Sequence, residues 1–225
     1  MQTASGVTLD EHGAQLFEGF ATAILGSLLN HLTGYDLPSP GSRIASHPAL
    51  AELLANVRGL AGIASTLAGR AVRPVRAVFF DKSESNNWAL GWHQDRTICV
   101  RQRHDIAGFE PWTMKQGLQH VQPPFEFING MITLRIHFDA VDTENAPLLV
   151  AVGSHRFGLI PVPEIPAAVE RCRTLACMAA PGDVWAYATP IVHSSERSRS
   201  FCRRRVLQVD YSGDDLPDPL RWLGI

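Results

Sequence analysis

The hydrophobic rhythm of this chain changes near residue 73. Before that point apolar residues recur at helical spacing. Leu9, Leu16, Phe17, Phe20 and Ile24 share one helical face. Thr8-Leu9-Asp10-Glu11 has the Ser/Thr-x-x-Glu form that satisfies free N–H groups at a helix start. The pattern predicts a helix from Thr8. A second helix is predicted from Ser46-His47-Pro48, with Ser46 as cap and proline in the first turn, where no N–H is needed. Its apolar stripe is Ala49, Leu50, Leu53, Leu54, Val57, Leu60 and Ile63, and Gly69 is its natural stop.

After residue 73 short runs of β-branched and aromatic residues alternate with Gly, Pro, Asn and Asp clusters. Strands are predicted at 75–80, 91–101, 131–139, 148–152, 174–178, 184–188, 191–193 and 204–211. Helices come first and strands later, which argues against a repeating βαβ fold. The expected class is mainly β with N-terminal helices, a double-stranded β-helix of the jelly-roll or cupin-like kind. One domain is expected over residues 1–225, with a helical part at about 8–69 and a jelly-roll core at about 73–211. The connections 81–90 and 102–124 are read as long loops, and long loops in compact domains often carry function.

Composition narrows the classes. A net charge of −2 carries no basic excess, so nucleic acid is not the expected main partner. The local cluster Arg197, Arg199, Arg203, Arg204 and Arg205 reads as a solvated strand with one functional Arg. No apolar stretch is long enough to span a membrane. The start, Met1 to Gly6, has neither the basic region nor the apolar run of a secretory signal. Cys99, Cys172, Cys177 and Cys202 fit no Cys-x-x-Cys pattern. A cytoplasmic, reducing setting with free thiols is therefore expected. The expected partner is a small-molecule substrate, with the chain acting as a monomer or homodimer.

The chemistry begins at Trp92-His93-Gln94-Asp95. Residues two apart on a strand face the same side, so His93 and Asp95 can hold one metal while Gln94 turns away. Two His and one carboxylate fill one face of an octahedral metal and leave the other open, the pattern of non-haem Fe(II) oxygenases. His193 supplies the third ligand from a remote strand. A second His-x-Asp, His137-Phe138-Asp139, competes with the first. The first is preferred because it sits beside Trp92 after a long loop, whereas the second lies inside a run that reads as a central strand. His137 is instead expected to be a hydrogen-bonded residue lining the pocket.

Arg204 adds the reason for a 2-oxo acid. Such a co-substrate chelates iron through its keto oxygen and one carboxylate, and its far carboxylate then needs a buried counter-charge. The planar guanidinium fork supplies one and stays charged. Ser195 is expected to add a hydroxyl to the same carboxylate, and Arg203 and Arg205 take Arg204's place if the strand register is shifted. Trp88, Trp92, Trp112, Lys115, His120 and Arg135 are substrate-pocket candidates, each equally readable as packing or surface. Arg101, Arg103, Lys115 and His120, on or beside the 102–124 connection, could meet an anion, although a solvated loop would look the same. Gly153-Ser154-His155-Arg156 reads as a structural turn. Two other readings are a non-catalytic jelly roll that binds a small ligand and uses its His/Asp set structurally, with Zn, and a cupin-like isomerase or hydrolase. Neither needs a buried Arg at position 204.

At these residues the sequence resembles the phytanoyl-CoA dioxygenase family of Fe(II)/2-oxoglutarate oxygenases. The resemblance runs from about Arg73 to Tyr211. It rests on Trp92-His93-Gln94-Asp95, on Glu144-Asn145-Ala146-Pro147-Leu148 followed by Gly153-Ser154-His155-Arg156, on Pro181-Gly182-Asp183, and on Val192-His193 with Arg204 eleven residues later. It implies Fe(II) on His93, Asp95 and His193, 2-oxoglutarate on Arg204, and O2 as oxidant, with succinate and CO2 released as a C–H bond is hydroxylated. It also implies a place near the co-substrate for Lys82. Ala146 stands where the family has Gly, a loop position expected to lie away from the metal. The intact Asp95 argues against the halogenase variant, which loses that carboxylate.

Overall fold

The computed structural model describes residues 6–33, 41–200 and 202–225; the chain start read above, Met1 to Ser5, lies outside them. In chain order come α1 (Leu9–His12), β1 (Ala14–Phe17), a 3-10 turn (Thr22–Ile24) running into α2 (Leu25–Leu32), β2 (Ser42–Ile44), α3 (Pro48–Leu54) and α4 (Leu60–Ala68). Then follow β3 (Arg73–Lys82), β4 (Leu90–His93), β5 (Ile98–Val100), β6 (Trp112–Lys115), β7 (Leu118–Val121), α5 (Phe125–Asn129), β8 (Ile132–His137) and β9 (Leu148–Ala151). The chain ends with α6 (Ile165–Glu170), β10 (Thr174–Cys177), β11 (Val184–Ala188), β12 (His193–Ser195) and β13 (Arg204–Ser212).

Two antiparallel sheets make the jelly roll. The larger has the order β1-β11-β8-β13-β3-β2, the smaller β10-β9-β12-β4. β3 and β4 lie on opposite sheets, as do β8 and β9, β10 and β11, and β12 and β13. This repeated crossing is the double-stranded β-helix expected from the strand pattern. A third sheet, β5-β7-β6, packs beside it through Ile98, Val100, Phe109, Val121, Ile128 and Met131.

The period-2 alternation of the large sheet explains where everything sits. Ala77 and Phe79 on β3, Leu134 and Ile136 on β8, Val184 and Ala186 on β11, and Leu207, Val209 and Tyr211 on β13 point one way and bury themselves against Leu28, Leu32, Leu50, Leu54, Leu60 and Ile63 of the helices. The neighbours between them, Arg76, Val78, Arg135, Arg204 and Gln208, point the other way and line a cavity between the sheets. Tyr211 Oη donates to Leu54 O at 3.0 Å, tying α3 to the sheet.

Four expectations need correction. The helix predicted from Thr8 lasts one turn: Thr8 Oγ1 accepts from Glu11 N, but Gly13 at φ +80° closes α1, and 14–17 pair with β11 as an edge strand. The helix from 46 to 69 is two helices, and its cap is His47, whose Nδ1 accepts from Leu50 N, while Ser46 sits at φ +59°. The strand at 91–101 is split into β4 and β5 around Gln94 to Thr97. The 102–124 segment is no open loop. It holds the β6–β7 hairpin, whose two turn residues, Gln116 (φ +52°) and Gly117 (φ +74°), both have the positive φ that tight hairpins with the sheet's twist require.

Candidate metal centre

β4 and β12 bring the two distant histidines together. His93 and His193 are directly opposed across the ladder, with ring centroids 4.3 Å apart. One nitrogen from each ring and one Asp95 oxygen all lie within 4.8 Å of one another, and no other His, Cys, Asp or Glu cluster among the described residues converges this way. The local backbone fixes which nitrogen faces the centre. His93 Nδ1 lies 2.7 Å from Gly91 O, and His193 Nδ1 lies 2.9 Å from Ile191 O. A carbonyl can only accept, so Nδ1 carries the proton in both rings and Nε2 keeps its lone pair. Burial, then the neighbouring His93, lowers the pKa of His193 to about 4, which keeps it neutral and able to ligate near pH 7.

The carboxylate is aimed by the large sheet. Arg76 NH2 donates to Asp95 Oδ2 at 3.4 Å and Gln208 Nε2 approaches the same oxygen at 3.5 Å. Arg76 Nε also donates to the buried Asp210, whose other oxygen accepts from Thr133 Oγ1 at 3.0 Å. Arg135 NH1 donates to Gln208 Oε1 at 2.9 Å, completing the chain. Burial alone would raise the Asp95 pKa, but Arg76, then His193 and His93, outweigh it and hold the carboxylate ionised. Gln94 turns away as expected, and its amide clamps the structure behind the ligands. Its Nε2 donates to Gly158 O and Pro190 O, and its Oε1 accepts from Ile160 N at 2.9 Å. The Gly153-Ser154 turn does similar work, since Ser154 Oγ accepts from Val192 N just before His193.

Arg204 is 2% exposed and lines the same cavity, a space of about 460 Å³ shared with His93, Asp95 and His193. Its NH1 donates to Ala146 O at 2.6 Å, its Nε has no partner, and no carboxylate among the described residues pairs with it. Burial, then Arg135, lowers its pKa to about 9. A buried guanidinium left this way is costly unless an anion completes it. Lys82 pairs with Arg204 across β3 and β13 but does not line the cavity. Its Nζ donates to Ser195 Oγ at 3.1 Å and to Glu196 O. Ser195 does line the cavity, and because its oxygen accepts from Lys82 its own hydroxyl proton is free to donate there. Burial, then Arg204, Arg135 and Arg197, lowers the Lys82 ammonium to about 7.

The remaining candidates divide cleanly. Trp88, Lys115 and Arg135 line the cavity, whereas Trp92 packs with Val192 and Ile165, and Trp112, on β6, packs against the third sheet's apolar cluster. Arg203 pairs with Asp81 and Arg205 with Asp139, both away from the site, so the register that selects Arg204 holds. That pairing also removes Asp139 from His137, which is 1% exposed and has no partner on either ring nitrogen. The expectation of a hydrogen-bonded His137 lining the pocket is therefore wrong: it shares the inner face of β8 with Arg135 but does not border the cavity. Ala146 is not remote in effect either, since it holds Arg204. Arg76, Gln94 and Gln208 carry roles that sequence reading missed, and Arg43 lines the cavity without having been singled out. The signal for two of them was present as polar side chains at alternate positions of otherwise apolar strands, Arg76 in 73–82 and Gln208 in 204–212.

The comparisons agree with this geometry. The family described as phytanoyl-CoA dioxygenase matches residues 41–206. No curated protein sequence matches the chain. Among solved structures, EctD from S. alaskensis with 2-oxoglutarate and 5-hydroxyectoine is 17% identical, with a TM-score of 0.64, 94% of this chain covered and 76% of that one. The carbocyclase SnoK from nogalamycin biosynthesis is 18% identical, with a TM-score of 0.63 and coverages of 94% and 86%. HygX from Streptomyces hygroscopicus, with nickel and 2-oxoglutarate bound, is 16% identical, with a TM-score of 0.61 and coverages of 91% and 84%. At these identities the likeness shows the fold.

Proposed function

Because this chain belongs to the phytanoyl-CoA dioxygenase family, we infer that it is a non-haem Fe(II)- and 2-oxoglutarate-dependent dioxygenase that hydroxylates a small molecule. The overall change is balanced: substrate C–H, O2 and 2-oxoglutarate give substrate C–OH, succinate and CO2, with one oxygen atom in each of the alcohol and the succinate. Iron carrying the 2-oxo acid supplies the O2 activation and the attack on the C–H bond.

The protein's part is positioning. His93 and His193 present Nε2, and Asp95 presents one oxygen, from one side, leaving the opposite side for co-substrate and O2. Arg204 takes the distal carboxylate of 2-oxoglutarate through the guanidinium edge that no protein acid occupies, and Ser195 adds its O–H. Lys82 acts one step back, holding Ser195 through Nζ. The observation that carries this reading is Arg204: a structural metal site has no use for a buried, acid-free guanidinium beside it. EctD and HygX, both solved with 2-oxoglutarate, support the same use of this fold.

The helical part and the jelly roll act as one unit in this reading, supported by the apolar cluster they share. No helix of the described residues is long and apolar enough to cross a membrane. The four unpaired cysteines suit a reducing compartment such as the cytoplasm. The test is anaerobic addition of Fe(II) and 2-oxoglutarate, with the weak visible charge-transfer band of the chelate as the readout. The band is expected in the wild type and in His137→Ala, and is expected to vanish in Arg204→Ala. A correctly folded wild type without the band would sink the oxygenase reading.

A further inference from the structure

Apart from Arg96, whose NH2 donates to Ile160 O, two cations in the cavity have no part in the chemistry described so far. Arg43 on β2 and Lys115 at the end of β6 both line it, well away from Arg204. Arg43 stands opposite Val78, which stands opposite Gln208, so it lies two strands from Gln208, about 10 Å across the sheet. Arg204 lies four residues from Gln208 along β13, about 13 Å. One ligand carboxylate cannot serve both ends.

Arg43 is held in place by a neutral group. Its Nε donates to His120 Nε2 at 3.3 Å, and His120 Nδ1 lies 3.0 Å from Leu118 O, so Nδ1 carries the ring proton and Nε2 accepts. His120 is fully buried, and burial lowers its pKa to about 4. The hairpin also grips the β2 backbone, because Gln116 Oε1 accepts from Arg43 N at 2.9 Å and Gln116 Nε2 donates to Gly41 O at 2.8 Å. With Nε engaged, both terminal nitrogens of Arg43 are without a protein partner among the described residues, the end-on edge that takes a two-oxygen anion. Lys115 has no hydrogen-bonded or ion-paired partner there either. By contrast, Arg103 on the same segment is paired with Asp105 and does not line the cavity, and neither does Arg101.

The charge balance points the same way. Among the described residues, six cationic side chains line the cavity (Arg43, Arg76, Arg96, Lys115, Arg135 and Arg204) against one carboxylate, Asp95. Counting Asp210 behind Arg76, four positive charges stay uncompensated by the described residues. A divalent metal with a dianionic co-substrate leaves that balance unchanged. A cavity of this kind draws in and retains a further anion.

We propose that Arg43 and Lys115, presented by β2 and the β6–β7 hairpin, form a second oxyanion site that binds a carboxylate or phosphate group of the primary substrate and so points its carbon skeleton at the metal. His120 is a positioning residue for Arg43. The substrate assignment rests on the oxygenase reading for what happens at the metal, but the oxyanion site itself does not.

The test uses the full chain, anaerobic, loaded with Fe(II) and 2-oxoglutarate so that Arg204 is occupied. Hexanoate, hexyl phosphate and 1-hexanol are titrated in parallel, read by calorimetry and by the fluorescence of Trp88 and the other tryptophans. At least one oxyanion is expected to bind at least about tenfold more tightly than the alcohol, and the tighter of the two identifies the group as carboxylate or phosphate. Lys115→Met and Arg43→Gln are each expected to weaken that binding about tenfold or more, with the chelate band unchanged. Lys115 is exposed on a hairpin, so its variant keeps the question answerable if the Arg43 variant misfolds. The proposal is overturned if the alcohol binds as tightly as both oxyanions, if Lys115→Met binds them like the wild type, or if they bind only by displacing 2-oxoglutarate. A missing chelate band is a separate result: it removes the oxygenase reading, and the same titrations on metal-free protein then decide the oxyanion site alone.

Discussion

Adjacent residues on β8 and β13 live in opposite surroundings. Leu134, Ile136, Leu207 and Val209 are wholly buried against helices. Arg135 and Gln208, between them, and Arg204, at the start of β13, are also nearly buried but face the cavity, with Arg135 Nε and Arg204 Nε left without partners. One face therefore gains from burial while the other holds charge in a place where charge is costly. The difference teaches that the outer face must stabilise what the inner face is built to do. Removing outer-face packing should act on stability alone. Leu134→Ala leaves a cavity in the core and is expected to cost about 2–5 kcal/mol in chemical denaturation, with the Fe(II)/2-oxoglutarate band intact in the folded fraction. Loss of the band without loss of stability would break the division between the faces.

The opposite experiment sharpens it. Arg204→Met replaces an acid-free buried guanidinium with an apolar chain of similar length. In the absence of metal and 2-oxoglutarate the variant is expected to be more stable than the wild type by about 1 kcal/mol or more, while 2-oxoglutarate no longer stabilises it. A variant of unchanged or lower apo stability would show that Arg204 is better satisfied than its hydrogen bonds indicate.

The same two faces mark how far the sequence could be read. β3, β8, β9, β10, β11, β12 and β13 lie within a few residues of their predicted spans, because runs of β-branched and aromatic residues bounded by turn residues mark strands directly. The convergence of His93, Asp95 and His193 beside a cavity that Arg204 also lines agrees with the residues the sequence singles out, although Asp95 lies just past the end of β4. What failed was decided by partners far away in sequence. Leu16 and Phe17 fit a helical face, yet Gly13 ends the helix and the free edge of β11 captures 14–17. The β6–β7 hairpin carries a weak sequence signal, because its turn is Gln-Gly rather than Asn-Gly and its side chains alternate weakly. With the hairpin unseen, no sequence argument could carry His120 to Arg43, residues 77 apart in the chain that meet only in the fold.

His137 tests the inner face through pH. Its imidazole is buried without a partner, and burial, then Arg135 and Arg204, holds its pKa well below the ordinary value of 6.5. The unfolded chain binds this proton more readily, so the group's contribution is complete above pH 6.5 and stability is lost as pH falls below it. His120 and His193 are lowered too, so the informative quantity is a difference. His137→Leu is expected to show a shallower loss of stability between about pH 6.5 and pH 5 than the wild type, measured by denaturant titration at each pH. Superimposable profiles would mean that His137 finds a proton acceptor in solution.

The smallest effect concerns the loop between β8 and β9, which reaches Arg204 from the second sheet. Ala146 is 2% exposed, adopts φ +50°, and offers its carbonyl to the guanidinium. A left-handed conformation costs a residue with a Cβ about 1–2 kcal/mol, whereas glycine accepts it but loses about 0.5–1 kcal/mol more backbone entropy on folding. The two terms nearly cancel, which is why alanine is tolerated where the family has glycine. Ala146→Gly is expected to stabilise by about 0.5 kcal/mol, a small rise in thermal midpoint. The affinity for 2-oxoglutarate should stay the same, because the contact to Arg204 is made by the backbone. A change in that affinity with no change in stability would place the role of Ala146 in the orientation of its carbonyl, and would extend the costly inner face into the loop.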